Sequence, residues 1–185
     1  MRSTDRIYSE LLVCRCQEGE REAFDELVQI WQMRLFYYVR RLIRDEDQAW
    51  QILQEIWIKV FRSLKRLKDT SRFPGWLYRI ARHQAIDNIR EEYRQSLRQV
   101  QLQQEYTSVD HERLTFDDAD QVHFGLDQIS VHFREVLTLF FLQDLSLGEI
   151  STLLNIPVGT VKSRLYFAKK ALKAVIEKEA NQYES

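Results

Sequence analysis

The chain has 185 residues, 44% of them hydrophobic and 30% charged, with a formal net charge of -1; this is an ordinary soluble composition for one or two domains, not a disordered or fibrous one. No run reaches the roughly 20 apolar residues that cross a bilayer, and Arg2, Asp5, Arg6 and Glu10 interrupt the stretch that a cleavable signal needs. Cys14 and Cys16 stand too close together to staple a fold, which fits a reducing cytoplasm, and the four separated histidines supply no zinc spacing.

Only five glycines and two prolines punctuate the chain, so long helices joined by few turns are expected and the fold class is all-α. The near-neutral total conceals three parts. Residues 1–96 carry 18 basic and 15 acidic side chains, residues 97–130 carry 2 and 7, and residues 131–185 carry 7 and 6. Lys59 to Arg94 holds ten basic residues against four acidic, and Val158 to Lys173 five against none. Those two patches are where a phosphate backbone is attracted.

A first domain is predicted over residues 8–95. Ala23, Leu27, Ile30, Trp31, Leu35, Tyr38, Val39 and Leu42 recur at three- and four-residue steps, the signature of a helix with one buried stripe. A second helix carries Ala49, Leu53, Ile56, Val60 and Leu64, and Asp45 or Asp47 can cap its exposed backbone donors. After a turn near Asp69 to Ser71, Pro74 suits the first turn of a third helix that continues through Trp76, Leu77, Ile80, Ala81, Ala85, Ile86 and Ile89.

Residues 96–125 lose this periodicity, and Asp110, Glu112, Asp117, Asp118 and Asp120 accumulate there. A flexible acidic linker is expected, with a short helix over Ser96 to Glu105. Its charge suggests that it repels DNA while the protein is free.

The second domain is expected over residues 126–178, with helices at Val131 to Phe141, Ser146 to Leu154 and Val158 to about Glu177. Ser146 with Glu149 three residues later forms a capping box. Asn155, Ile156 and Pro157 then separate two helices by a tight turn, giving a helix-turn-helix. In the last helix Val161, Leu165, Ala168, Leu172 and Val175 face inward. Early positions of such a helix approach base edges and later ones phosphates. Thr160, Lys162, Ser163 and Arg164 are therefore the candidate sequence readers, and Lys169, Lys170 and Lys173 the candidate backbone contacts.

Two further surfaces stand out in the first domain. The helix from Asp47 to Leu64 exposes Gln51, Gln54, Glu55, Ile58 and Lys59 opposite its core stripe, a mixed face suited to another protein. Phe73, Trp76, Tyr78, Arg79, Arg82, His83 and Asn88 combine rings, cations and an amide. Rings stack on unpaired bases while cations neutralise phosphate, so this set suits an opened strand. No nucleophile with an adjacent base, metal-ligand cluster or Gly-rich phosphate loop is recognisable, so neither catalysis nor a cofactor is expected.

The segments REVLTLFF, LSLGEISTLLNIP and VGTVKSRLYFAKKAL resemble the fourth conserved region of bacterial RNA polymerase sigma factors. EAFDELV, DEDQAWQILQEIWIKVF and FPGWLYRIARHQAIDNIR resemble the second conserved region. Their order and spacing are similar to the extracytoplasmic-function group of the sigma-70 family, which keeps only these two regions. The resemblance implies an alternative sigma factor that binds core RNA polymerase through Gln51, Gln54, Glu55, Ile58 and Lys59. It further implies that the Phe73 to Asn88 surface melts and reads the -10 promoter element and that the last helix reads the -35 element. An anti-sigma factor is the expected regulatory partner. Gln51 stands where the family commonly has aspartate, and His83 where it often has asparagine. Two other classes share parts of the pattern: a helix-turn-helix regulator acting without polymerase, and a sigma-like interaction protein that has lost promoter melting.

Overall fold

A computed structural model describes residues 3–43, 45–100 and 118–183, and among these no β-strand occurs. The N-terminal part is a bundle of α1 (Ser3–Glu18), α2 (Arg21–Leu42), α3 (Glu46–Ser63) and α4 (Phe73–Val100). Gly19 separates α1 from α2 at a φ of 103°, a conformation that only glycine adopts cheaply. Asp45 is the residue that caps α3, its Oδ1 accepting from the Gln48 N–H at 2.7 Å. Between α3 and α4 the chain makes two 3₁₀ turns, Leu64–Arg66 and Thr70–Arg72. Gln17 of α1 holds the first of these, donating to the carbonyls of Leu64 at 2.9 Å and Leu67 at 2.8 Å.

The bundle core follows the predicted stripes. Ala23, Leu27, Trp31, Leu35, Tyr38 and Val39 of α2 are buried together with Ala49, Ile52, Leu53, Ile56 and Val60 of α3. Trp31 lies at its centre, edge-on to Phe73 at 5.6 Å and to Tyr78 at 6.1 Å. Each such aromatic pair adds about 0.5–1.5 kcal/mol to the area it buries.

The C-terminal part consists of α5 (Asp118–Gln128), α6 (Val131–Leu137), α7 (Leu147–Leu154) and α8 (Val158–Tyr183). The predicted helix over Val131 to Phe141 changes character midway: Thr138–Leu142 is a π-helical turn that continues α6. The capping box at the start of α7 is formed in both directions, with Ser146 Oγ accepting from the Glu149 N–H and Glu149 Oε2 accepting from the Ser146 N–H at 2.7 Å. Asn155 closes α7 in the left-handed conformation, φ 55°, which asparagine tolerates better than branched residues.

The helix expected from Ser96 is continuous with α4, and the linker expected over 96–125 is corrected at its C-terminal end. α4 runs on to Val100, and α5 begins at Asp118 and packs along α8, an element that the acidic composition disguises. Residues 101–117, which hold most of the predicted tether, lie outside the described residues.

The two parts are docked on each other. α6 packs on α2, and α7 on α4. Arg134 anchors the junction. Its guanidinium donates to the carbonyls of Leu126 at 2.7 Å and Asp127 at 2.8 Å in its own domain, and to the Arg41 carbonyl at 3.0 Å across the boundary. These bonds satisfy a buried cation that would otherwise be costly.

Candidate nucleic-acid interface

In α8 the buried stripe Val161, Leu165 and Ala168 presses the helix onto its own domain. Lys162, Ser163, Lys169, Lys170 and Lys173 are exposed, and Thr160 and Arg164 lie half-buried at the edges. The turn before α8 leaves the helix start uncovered, so its first residues can enter a groove. Tyr166, 62% exposed, lies on the same outward side between the early and late cations, with its ring against Phe167 at 5.3 Å. Charge and spacing alone give Tyr166 no contact; an unburied aromatic in a basic stretch is the signal that points to it.

On α3 the predicted protein-facing residues Gln51, Gln54, Glu55, Ile58 and Lys59 are all exposed, opposite the core stripe. Gln84 of α4 bridges two of them, donating to Glu55 and accepting from Lys59. Ile58 and Phe61 add apolar surface beside these polar groups. Trp50 and Trp57 are half-buried bundle residues, Trp50 stacked on Phe36 at 4.1 Å and Trp57 edge-on to Phe24 at 6.0 Å.

The predicted strand surface divides. Arg79 and His83 are exposed on α4, with Trp76, Arg82 and Asn88 half-buried. Phe73 and Tyr78 are corrected to core residues: both are fully buried against Trp31, and neither can stack on a base here. The reason is geometric, because on a helix whose one side packs on α2 the residues Phe73, Leu77, Tyr78 and Ala81 share the inward side. Asn88 keeps its side-chain oxygen buried without a hydrogen-bond partner.

The junction with the C-terminal part reaches this surface. Arg82 Nε and the Tyr38 hydroxyl both donate to Glu135 Oε1 of α6, each at 2.9 Å. Burial pushes the Tyr38 phenol well above its ordinary range, and the Glu135 carboxylate adds to that, so the hydroxyl stays a donor. Tyr78 donates to the buried Gln143 amide oxygen. Beyond them, an open cleft of about 720 Å3 runs between α1, the start of α4 and α7, and Trp76, Arg79 and Arg72 face Gly148, Glu149 and Thr152 across it.

A capped helix-turn-helix with a basic outer face, beside a bundle carrying an arginine- and tryptophan-bearing helix, defines a two-part DNA-reading protein. Residues 19–95 match Sigma-70 region 2, and residues 125–172 match Sigma-70, region 4. The RNA polymerase sigma-H factor of Pseudomonas aeruginosa is 32% identical over 178 residues, covering 90% of this chain and 92% of that protein. The extracytoplasmic-function sigma factor SigW of Bacillus subtilis is 27% identical, covering 85% and 90%. In fold, the chain is similar to the sigma factor RpoE solved with the anti-sigma factor NepR from Bartonella quintana: TM-score 0.70, 19% identity, 83% of this chain and 96% of that one. CnrH, solved with the cytosolic domain of CnrY, gives a TM-score of 0.67 at 21% identity, covering 92% and 98%.

The chain belongs to the sigma-70 family of RNA polymerase sigma factors, in its extracytoplasmic-function group. It is an alternative sigma factor, carrying the two promoter-recognition regions 2 and 4. Sigma factors are transcription initiation factors. Among the described residues no helix is long and apolar enough to cross a membrane.

Proposed function

We propose that three separate faces divide the work of initiation. Gln51, Gln54, Glu55, Ile58 and Lys59 on α3 bind core RNA polymerase; Trp76, Arg79, Arg82, His83 and Asn88 on α4 hold the opened -10 strand; and α8 reads the duplex -35 element. On α8, Thr160, Lys162, Ser163 and Arg164 meet base edges, while Lys169, Lys170 and Lys173 meet phosphates. Nucleotide transfer belongs to the polymerase, and this chain contributes position and strand capture rather than catalysis of its own. Residues 8–95 and 126–178 act as the two working domains in the cytoplasm.

The observation that carries this reading is the segregation on α8, where a buried stripe of Val161, Leu165 and Ala168 turns the cations outward directly after a capped turn. Such a helix is held rigidly while its polar side remains open to a groove. An anti-sigma factor is the proposed regulator; the solved neighbours RpoE and CnrH are each bound to a partner protein.

The test is transcription reconstituted from purified core polymerase, this chain and a promoter library. Sequence-dependent transcripts that require the chain support the proposal. Core binding without strand opening, or DNA binding indifferent to core, overturns it.

A further inference from the structure

The junction between regions 2 and 4 joins a continuous apolar core with polar groups, two of which converge on one carboxylate. Glu135 is 5% exposed and accepts from Arg82, 23% exposed, and from Tyr38. Around this point Tyr78 donates to Gln143, Arg134 to the Arg41 carbonyl, and Arg6 of α1 to Glu149 of α7 at 2.8 Å. A buried ion pair stabilises little in net terms, because desolvation offsets the attraction, but removing one partner leaves an expensive unpaired charge. Polar pairs of this kind give the junction specificity, and interfaces between domains within one chain open more readily than a domain's own core.

Arg82 is the member shared with the strand surface. It follows Arg79 by three residues on α4 and is flanked by His83, so its guanidinium belongs to the basic side of that helix. A guanidinium pairs with carboxylate and phosphate through the same donor geometry. While Glu135 holds it, that donor is not open to a strand. The first helix of the helix-turn-helix, α7, meanwhile lies across the cleft from Trp76 and Arg79.

We propose that the docked arrangement is a resting state in which the Glu135 carboxylate stands in for a DNA phosphate on Arg82, so that domain docking and single-strand binding exclude one another. The inference rests on the reading of Arg82 as a strand contact. Domain opening then exchanges one anion for another on the same cation, and the exchange limits strand capture by the free protein.

The test uses the full chain without polymerase. Glu135→Gln keeps an acceptor for Tyr38 and removes the charge that holds Arg82. Small-angle scattering should show a larger radius of gyration, and a short single-stranded oligonucleotide of randomised sequence should bind about fivefold tighter or better, the lower end of ordinary coupling between sites. A variant as compact as the parent, with equal strand affinity, overturns the proposal. Arg82→Ala in the Glu135→Gln background separates the underlying reading: strand affinity that does not fall removes Arg82 from the strand surface, whatever the docking does. A second route does not depend on the folding of Glu135→Gln. With Cys14 and Cys16 changed to serine, a reducible crosslink between Arg6→Cys and Glu149→Cys should lower strand affinity at least fivefold, restored by reductant. A locked chain that binds strand as well as the unlocked one refutes mutual exclusion.

Discussion

Ser9 and Trp31 share a hydrogen bond in the dry centre of the N-terminal bundle. The Trp31 indole N–H donates to Ser9 Oγ at 3.0 Å, and that hydroxyl donates in turn to the Asp5 carbonyl at 2.7 Å. Both side chains are essentially without solvent contact. Ser9→Ala leaves the indole donor stranded, a loss of about 1–3 kcal/mol. Urea unfolding followed by tryptophan fluorescence should show a lower midpoint with an unchanged slope. A midpoint equal to the parent's means that the bond contributes nothing.

Arg134→Lys should be far from conservative. The guanidinium reaches carbonyls on both sides of the domain boundary, a spread that one ammonium cannot cover. The expected destabilisation is about 3 kcal/mol or more, since a buried charge is left short of partners. Thermal unfolding and limited proteolysis near residue 134 measure it, and wild-type melting would count against the anchoring role.

Lys162 and Lys173 should separate specificity from affinity. Lys162→Ala is expected to relax discrimination between -35 variants by about 1–3 kcal/mol, the worth of a direct hydrogen-bonding contact to a base edge. Lys173→Ala should weaken all sequences alike and reduce the salt dependence of binding by about one counterion. Binding of holoenzyme to a set of promoters at several salt concentrations reads both. Identical behaviour of the two variants would contradict the division of α8 into early readers and later phosphate contacts.

The two cysteines should differ in reactivity. Cys16 is half-buried, and burial pushes its thiol up to about 11, whereas Cys14 is exposed. The thiolate is the reacting form, so at pH 8 one equivalent of alkylating reagent should be consumed quickly, at Cys14, and the second slowly. The folded chain holds its proton more tightly than the unfolded chain. Cys16 therefore supports folding fully below the ordinary thiol value of 9.0, and this contribution declines as pH rises toward 11. Peptide mapping after brief alkylation checks the assignment; equal labelling at both positions would refute it.

Patterns carried by neighbouring residues are legible in the amino-acid sequence. The stripes of α2 and α3, the Ser146 and Glu149 box and the outward cations of α8 all follow from three- and four-residue spacing, whereas the α3 cap stays open between Asp45 and Asp47 in the sequence and only the fold selects Asp45. Phe73 and Tyr78 go the other way: their rings suit stacking on bases, yet their position beside Leu77 on the packed side of α4 decides their place. α5 is hidden because Asp118, Asp120 and Asp127 mark it as acidic while Gly125 and Leu126 supply the packing; a Cβ at Gly125 would come within 2.8 Å of Leu172. The contacts of Glu135 and Gln143 join residues 97 and 65 positions apart, and no local periodicity encodes such pairings.

The wide turn at Thr138–Leu142 sets the direction in which the chain leaves α6. A π turn takes up one extra residue, so the residue that leaves it is rotated by about 100° relative to an uninterrupted α-helix. Gln143 leaves that turn buried and aimed at Tyr78, and Leu145 folds back to donate to the Leu139 carbonyl at 3.0 Å. Removing one residue from the turn would restore α-helical phase and swing Gln143 off its acceptor position. Where the chain leaves α6, and with it the reach of Gln143 to Tyr78, is thus written partly as a length, a single residue's worth of chain.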